Sequence, residues 1–174
     1  MPVLRMLVYA ALVVLAIGLQ VGPLSDYAIR GVAPDLLLLV VVAIGLTYGP
    51  ERAAVVGFLG GLALDLAPPS DHVAGRWALA LVVVGYLVGL LRDDARQGMV
   101  GMIVAVAAAS FVGTSIFALS GLVLDEPGVT VSRVLEVIPV AVLYDVALTP
   151  LLLPLLIALC RRLRPSSDEW VRAA

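Results

Sequence analysis

Two glycines and a carboxylate follow one another at four-residue steps in one apolar stretch. Gly57, Gly61 and Asp65 lie in VVGFLGGLALD, which runs into a double proline. At about 100° per residue, these three positions share one face of a helix. A Gly-x-x-x-Gly pair lets a second helix approach closely in a membrane. Gly85 and Gly89 repeat the spacing further along, so both pairs predict tight helix packing.

Asp65 stands near the C-terminal end of its predicted helix, where the helix dipole disfavours a carboxylate. It should therefore have a compensating donor. The arginines on the same predicted side are Arg30, Arg76 and Arg133. We favour Arg76 because it begins the next apolar segment, and exposed backbone N–H groups are the alternative. The interpretation is a structural ion pair or hydrogen-bond network, with a contact to a ligand or partner left open.

Two further acids border or enter apolar segments. Asp35 follows Pro34 at the start of a segment, where a carboxylate meets the positive end of the helix dipole. Asp145 lies deeper in the last segment, beside Tyr144. An acid inside a membrane is a functional hypothesis by default. Asp145 could equally cap backbone groups freed by the three prolines of its own segment, so both readings stay open.

Catalytic residue sets are not apparent in the sequence. His72 is the only histidine, Cys160 is the only cysteine, and all eleven basic residues are arginine. A Ser/His/Asp set, a phosphate loop with its lysine and a His/Cys zinc site are therefore not expected. We expect no enzyme activity, no cofactor, no metal and no nucleic-acid partner.

The composition indicates an integral membrane protein. Hydrophobic residues make up 62% of the chain and charged residues 14%, against about 45–50% and about 25% in soluble domains. The mean hydropathy is +1.11. A chain of 174 residues with this composition has too few polar residues to cover a soluble globule, and the lipid bilayer is its expected surroundings.

Six apolar segments predict an all-α bundle of six transmembrane helices with short loops. They form one membrane domain, residues 1–164, followed by a short cytoplasmic tail, residues 165–174. The spans run over about 4–21, 34–48, 52–67, 76–91, 99–124 and 134–160. The second and third are short for a span of about 20 residues, so a re-entrant hairpin is their alternative. Prolines in the sixth predict that it is bent and packed inside the bundle.

Arginine placement predicts the orientation. With a cytoplasmic N-terminus, eight of the eleven arginines fall on the inner side and three on the outer side. Because positive residues are enriched on the cytoplasmic side, both ends are predicted to be cytoplasmic. The first segment has only a weak cleavage pattern and is read as an uncleaved span.

Three stretches resemble the rod shape-determining protein MreD family. They are PDLLLLVVVAIGLTYGPERAAVVGFLGGLALDLAPP, AGRWALALVVVGYLVGLLR and LYDVALTPLLLPLL. The resemblance rests on Pro-Asp before a leucine run, on Gly-Phe-x-x-Gly-x-x-x-Asp, and on a tyrosine with a polar neighbour in the last helix. Asp35, Gly57, Gly61, Asp65 and the Tyr144–Asp145 pair match that pattern and are candidates for fold and partner contacts.

The resemblance implies a non-enzymatic scaffold of the bacterial cell-elongation machinery, in the plasma membrane. It implies MreC as a partner, with RodA and its partner transpeptidase as further ones. The family is similar in architecture to the substrate-binding subunits of ECF vitamin transporters, which supplies the alternative function. Such a subunit normally has a vitamin pocket and a docking motif, whereas this sequence has few aromatic residues and no convincing docking motif in its first segment.

Overall fold

A computed structural model of the chain describes residues 2–24, 26, 28, 31–68, 73–95 and 98–163, with the side chains of 2–6, 94 and 95 not described. This part of the chain is helical and contains no β-strand. The helices are α1 (Pro2–Val21), α2 (Leu36–Tyr48), α3 (Pro50–Asp65), α4 (Arg76–Leu90), the one-turn α5 (Arg92–Ala95), α6 (Met99–Val123) and α7 (Val131–Arg162).

Helix α2 forms the centre of the bundle. Every residue from Leu37 to Thr47 is buried, and α2 contacts each of the other helices. A helix that is apolar on all sides can be buried in this way, although lipid around a membrane protein would accept the same helix. Asp35 begins α2 as its N-cap, with Oδ1 accepting the Leu38 backbone N–H at 2.9 Å.

Helices α3 and α4 form the closest pair, and glycines line both sides of their contact. A Cβ atom added at Gly61 would lie 2.6 Å from the backbone of Ala78, and one added at Gly85 would lie 2.6 Å from the carbonyl oxygen of Ala53. Gly57 and Gly89 meet the backbone of the opposite helix in the same way. The two helices therefore touch backbone to backbone, which only residues without a side chain allow at these points.

Helices α6 and α7 lie side by side at the edge of the bundle. Both are long and apolar enough to span a membrane; the other apolar helices found by the same criteria, Leu7–Val21, Leu36–Tyr48 and Arg76–Leu90, are shorter. The prediction that the proline-rich last segment packs inside the bundle holds for one face of α7 only. Asp145, Thr149 and Leu153 on that face are buried, whereas Leu143, Leu151 and Leu155 are exposed. The helix that lies wholly in the interior is α2.

The predicted segments agree with the helices apart from their ends and one addition. The last helix begins at Val131 and ends at Arg162, whereas its segment was predicted over 134–160. The one-turn helix α5 was not predicted. A single residue, Gly49, connects α2 to α3, with a positive φ of 95° that favours glycine. The predicted tail, residues 165–174, lies outside the described residues.

Candidate functional site

A cavity of about 200 Å³ lies at the end of the bundle where α1 ends and where α2 and α4 begin. Four helices, α1, α4, α6 and α7, and the loop that leads into α2 contribute to its wall. The lining residues are Gln20, Gly31, Val32, Ala33, Asp35, Trp77, Thr114, Phe117, Val137, Ala141 and Asp145. Two of the three carboxylates singled out in the sequence therefore meet here, although 110 residues separate them.

Asp145 joins three helices at the base of this cavity. Its Oδ1 accepts the backbone N–H of Asp35 at 2.9 Å, and its Oδ2 accepts the hydroxyl of Ser110 at 2.6 Å. The residue is only 1% exposed. Its oxygens thus accept hydrogen bonds from α2 and α6 and do not bind the carbonyls that prolines free in α7. The structure therefore does not support the interpretation that Asp145 caps backbone groups of its own helix.

The start of α2 is held by side chains from two other helices. Gln20 of α1 accepts the backbone N–H of Leu37 at 3.3 Å, and Asp145 of α7 accepts that of Asp35. Asp35 itself accepts the N–H of Leu38. The first N–H groups of a helix have no partner within it, so these acceptors satisfy the positive end of α2 inside an apolar bundle.

Two stacked aromatic rings form one wall of the cavity. The ring centroids of Trp77 and Phe117 are 4.4 Å apart, and their planes differ by 25°. The guanidinium carbon of Arg76 lies 4.0 Å from the centroid of the Phe117 ring. A cation at that distance is attracted by the ring's quadrupole. The wall is therefore held from α4 and α6 together.

Arg76 is buried and bound on several sides. Its guanidinium forms an ion pair with Glu126, donates to the carbonyl oxygen of Phe117 at 2.7 Å and donates through Nε to the hydroxyl of Ser120 at 3.2 Å. Its side chain is 4% exposed and that of Glu126 is 10% exposed. A buried charge needs such a partner, because an unpaired one is costly in a low-dielectric interior.

Asp65 caps the beginning of α4 from the end of α3. Its carboxylate accepts three backbone N–H groups, from Gly75 at 2.9 Å and from Trp77 and Ala78 at 3.1 Å each. These backbone donors belong to the second of the two classes predicted. The favoured Arg76 forms an ion pair with Glu126, and its charge also interacts with that of Asp65. The acid disfavoured at the end of one helix thus stabilises the start of the next.

The other predicted residues lie outside the cavity wall. The four glycines form the α3–α4 contact, and Tyr144 is half-buried in α7 beside Asp145. Reasoning from the sequence gave no role to Ser110, Trp77, Phe117 or Glu126. Ser110 could have been identified from the sequence as a hydroxyl within an apolar helix, because such side chains form hydrogen bonds between helices in a membrane.

A second polar connection ties the opposite end of the bundle. The Tyr48 hydroxyl donates to the carbonyl oxygen of Cys160. The Tyr9 hydroxyl donates to the hydroxyl oxygen of Tyr48. The guanidinium of Arg52 lies 5.4 Å from the centroid of the Tyr48 ring. This chain links α1, α2 and α7, so it fastens the first helix to the bundle.

The cavity brings polar and aromatic side chains together. It combines two carboxylates, one hydroxyl, one amide and two aromatic rings. Within the described residues, no group of three His, Cys, Asp or Glu side chains could hold a metal ion. Residues 2–163 match the family model of the rod shape-determining protein MreD. No curated protein and no solved structure matches the chain.

Proposed function

The chain belongs to the rod shape-determining protein MreD family, and we propose that it acts as a membrane scaffold that supports lateral peptidoglycan synthesis in the cell-elongation machinery. The family role is in rod shape determination. The match over residues 2–163 is the observation that carries the proposal, because it includes nearly all of the helical bundle.

The proposed topology has six membrane spans, α1 to α4, α6 and α7, with both ends in the cytoplasm. The eight-to-three distribution of arginines supports it. Of the three on the outer side, Arg76 is buried against Glu126 and so carries no free positive charge. In this topology, the cavity with Asp35 and Asp145 faces the outer half of the membrane.

Single cysteines in a Cys160→Ser background test this topology. Val73 is exposed before α4 and Glu51 is exposed at the start of α3, so they report on opposite sides of the bundle. We expect a membrane-impermeant maleimide to label Val73→Cys in intact cells and to label Glu51→Cys only after the membrane is opened. Labelling with the opposite preference would overturn the orientation, and labelling of both from outside would overturn the span count.

The proposed partners are MreC and, beyond it, RodA with its transpeptidase. The polar contacts and the glycine contacts support a role for this chain as a rigid platform, because they hold neighbouring helices together. In this proposal, Asp35, Asp65, Arg76, Asp145 and the α3–α4 glycines shape the platform and Tyr144 lies near its partner-facing side.

Complementation tests the scaffold function. In a rod-shaped cell depleted of this protein, the wild-type chain should restore the cell length-to-width ratio, and MreC should copurify with it from membranes. Cells that stay rod-shaped during depletion would contradict the function. Restored shape without copurified MreC would contradict the proposed partner alone.

The alternative, a vitamin-binding subunit of an ECF-type transporter, is less well supported by the cavity. A volume of about 200 Å³ is below the roughly 300–1,000 Å³ typical of pockets for drug-sized ligands. Binding of a vitamin by the purified chain, together with copurification of an ATPase pair, would favour the transporter instead.

A further inference from the structure

We propose that the cavity between Asp35, Asp145 and the Trp77–Phe117 stack binds a small ligand that carries a primary ammonium group. The proposal extends beyond the scaffold function and does not depend on it. It follows from the charge of the lining, from a hydroxyl without a partner and from the aromatic wall.

The charge of the lining calls for a cation. Asp35 and Asp145 are both buried, and none of the other described residues that line the cavity is basic. The hydrogen bonds that reach the two carboxylates come from neutral groups, the N–H of Asp35, the N–H of Leu38 and the hydroxyl of Ser110. Two neighbouring buried carboxylates are costly unless one is protonated or an opposing charge lies beside them, and a positively charged ligand would supply that charge.

Thr114 provides an independent indication of a ligand. It lines the cavity and is only 8% exposed. Its hydroxyl forms no side-chain hydrogen bond with the part of the chain that the structure describes. Among the described residues, the fully buried hydroxyl without a partner is that of Thr47 in α2, whereas the Thr114 hydroxyl is open to the cavity and can meet a ligand there. An ammonium group has three donors, enough to reach this hydroxyl in addition to carboxylate oxygens.

The aromatic wall and the volume limit what else the ligand can contain. Trp77 and Phe117 line the cavity and pack against a short apolar body. Trp77 is the ring that can attract a cation, because the two faces of Phe117 are already covered by Trp77 and Arg76. The cavity of about 200 Å³ has room for several times the roughly 30 Å³ that one water molecule occupies in the liquid. A primary amine with a short carbon chain meets both conditions.

Among the described residues, Arg133 is a cation that could compete for this position. One of its guanidinium nitrogens lies 3.2 Å from where a Cβ of Gly31 would stand, at the rim of the cavity. Arg133 belongs to the exposed first turns of α7. The experiment must therefore distinguish a bound amine from an inward position of Arg133.

Trp77 supplies a reporter inside the site. The chain has two tryptophans, Trp77 and Trp170, and Trp170→Phe leaves only the one in the wall. We expect n-butylammonium to change Trp77 emission saturably in the detergent-purified full chain. Uncharged 1-butanol, of the same size, should bind at least about tenfold more weakly, because a hydrogen bond to a charged group is lost.

Three substitutions locate the binding. Asp145→Asn removes one charge at nearly constant shape and should weaken binding by about tenfold or more. Thr114→Val removes the hydroxyl at nearly constant shape and should weaken it by about threefold to tenfold. It keeps the test decisive if Asp145→Asn does not fold. Asp125→Asn is the matched control, because Asp125 is an exposed acid at the same end of the bundle, and it should have no effect.

Several results would overturn the proposal. Equal binding of 1-butanol would mean an apolar void, and equal weakening by Asp125→Asn would mean attraction to surface charge. Absence of a saturable change would also overturn it. In that case, a double-mutant cycle in which the effects of Arg133→Gln and Asp145→Asn on the free energy of unfolding are coupled would identify Arg133 as the occupant. Nanodiscs identify the source of the amine. A weaker n-butylammonium response in phosphatidylethanolamine than in phosphatidylcholine indicates a competing lipid headgroup, and equal responses indicate a soluble amine.

Discussion

Replacement of Gly61 by alanine should loosen the α3–α4 contact. The new Cβ would lie 2.6 Å from the N and Cα atoms of Ala78 and from the carbonyl oxygen of Trp77, whereas ordinary contact begins at 3.4 Å. All three atoms are backbone, so no side chain can turn aside and the helices must separate. Overpacking of this kind costs about 1–3 kcal/mol and occasionally more, and the higher helix propensity of alanine offsets about 1 kcal/mol. We expect Gly61→Ala to lower the free energy of unfolding by up to about 2 kcal/mol, and to be about 1–3 kcal/mol less stable than a glycine-to-alanine variant whose new Cβ has no close contact.

Gly18→Ala is the matched control for this prediction. A Cβ at Gly18 of α1 has no neighbour within 4 Å, so the propensity gain stands alone and the variant should be as stable as the wild type or more so. The measurement is equilibrium unfolding of the purified protein in mixed detergent micelles. In cells, Gly61→Leu should reduce the protein level more than Leu59→Phe, because Leu59 is 59% exposed. If Gly61→Ala is as stable as Gly18→Ala, the backbone contact between α3 and α4 is refuted.

Two further predictions concern the buried charges. Asp65→Asn should destabilise the protein by about 1–3 kcal/mol, because one of the two acceptor oxygens becomes an NH2 donor, and Asp65→Leu by more, because all three N–H groups at the start of α4 lose their acceptor. Rescue by a substitution at Arg76 would contradict this. Arg76→Gln and Glu126→Gln should each cost about 3–5 kcal/mol while the double variant costs less than their sum, since each single change leaves a buried charge unpaired. Additive losses in a double-mutant cycle would mean that the pair contributes no coupling.

Local patterns in the sequence were sufficient to predict where the helices lie and which residues share a helix face. The apolar composition indicated a membrane protein, and Pro and Gly at the segment ends predicted the helix boundaries to within a few residues. Asp35 was assigned to a helix start because a carboxylate there meets unpaired N–H groups, and it is the N-cap of α2. The four-residue spacing put Gly57 and Gly61 on one face because helix geometry is local.

Only the tertiary structure decided which helices meet. Many arrangements of apolar helices bury similar side chains, so periodicity alone did not select α2 as the central helix or α7 as an edge helix. The same reason hid the meeting of Asp35 with Asp145, whose hydrogen bond spans 110 residues. The donors to Asp65 depended on where the α3–α4 loop placed the first turn of α4. Spacing identifies the face of a helix, and the packing of the whole bundle determines what that face contacts.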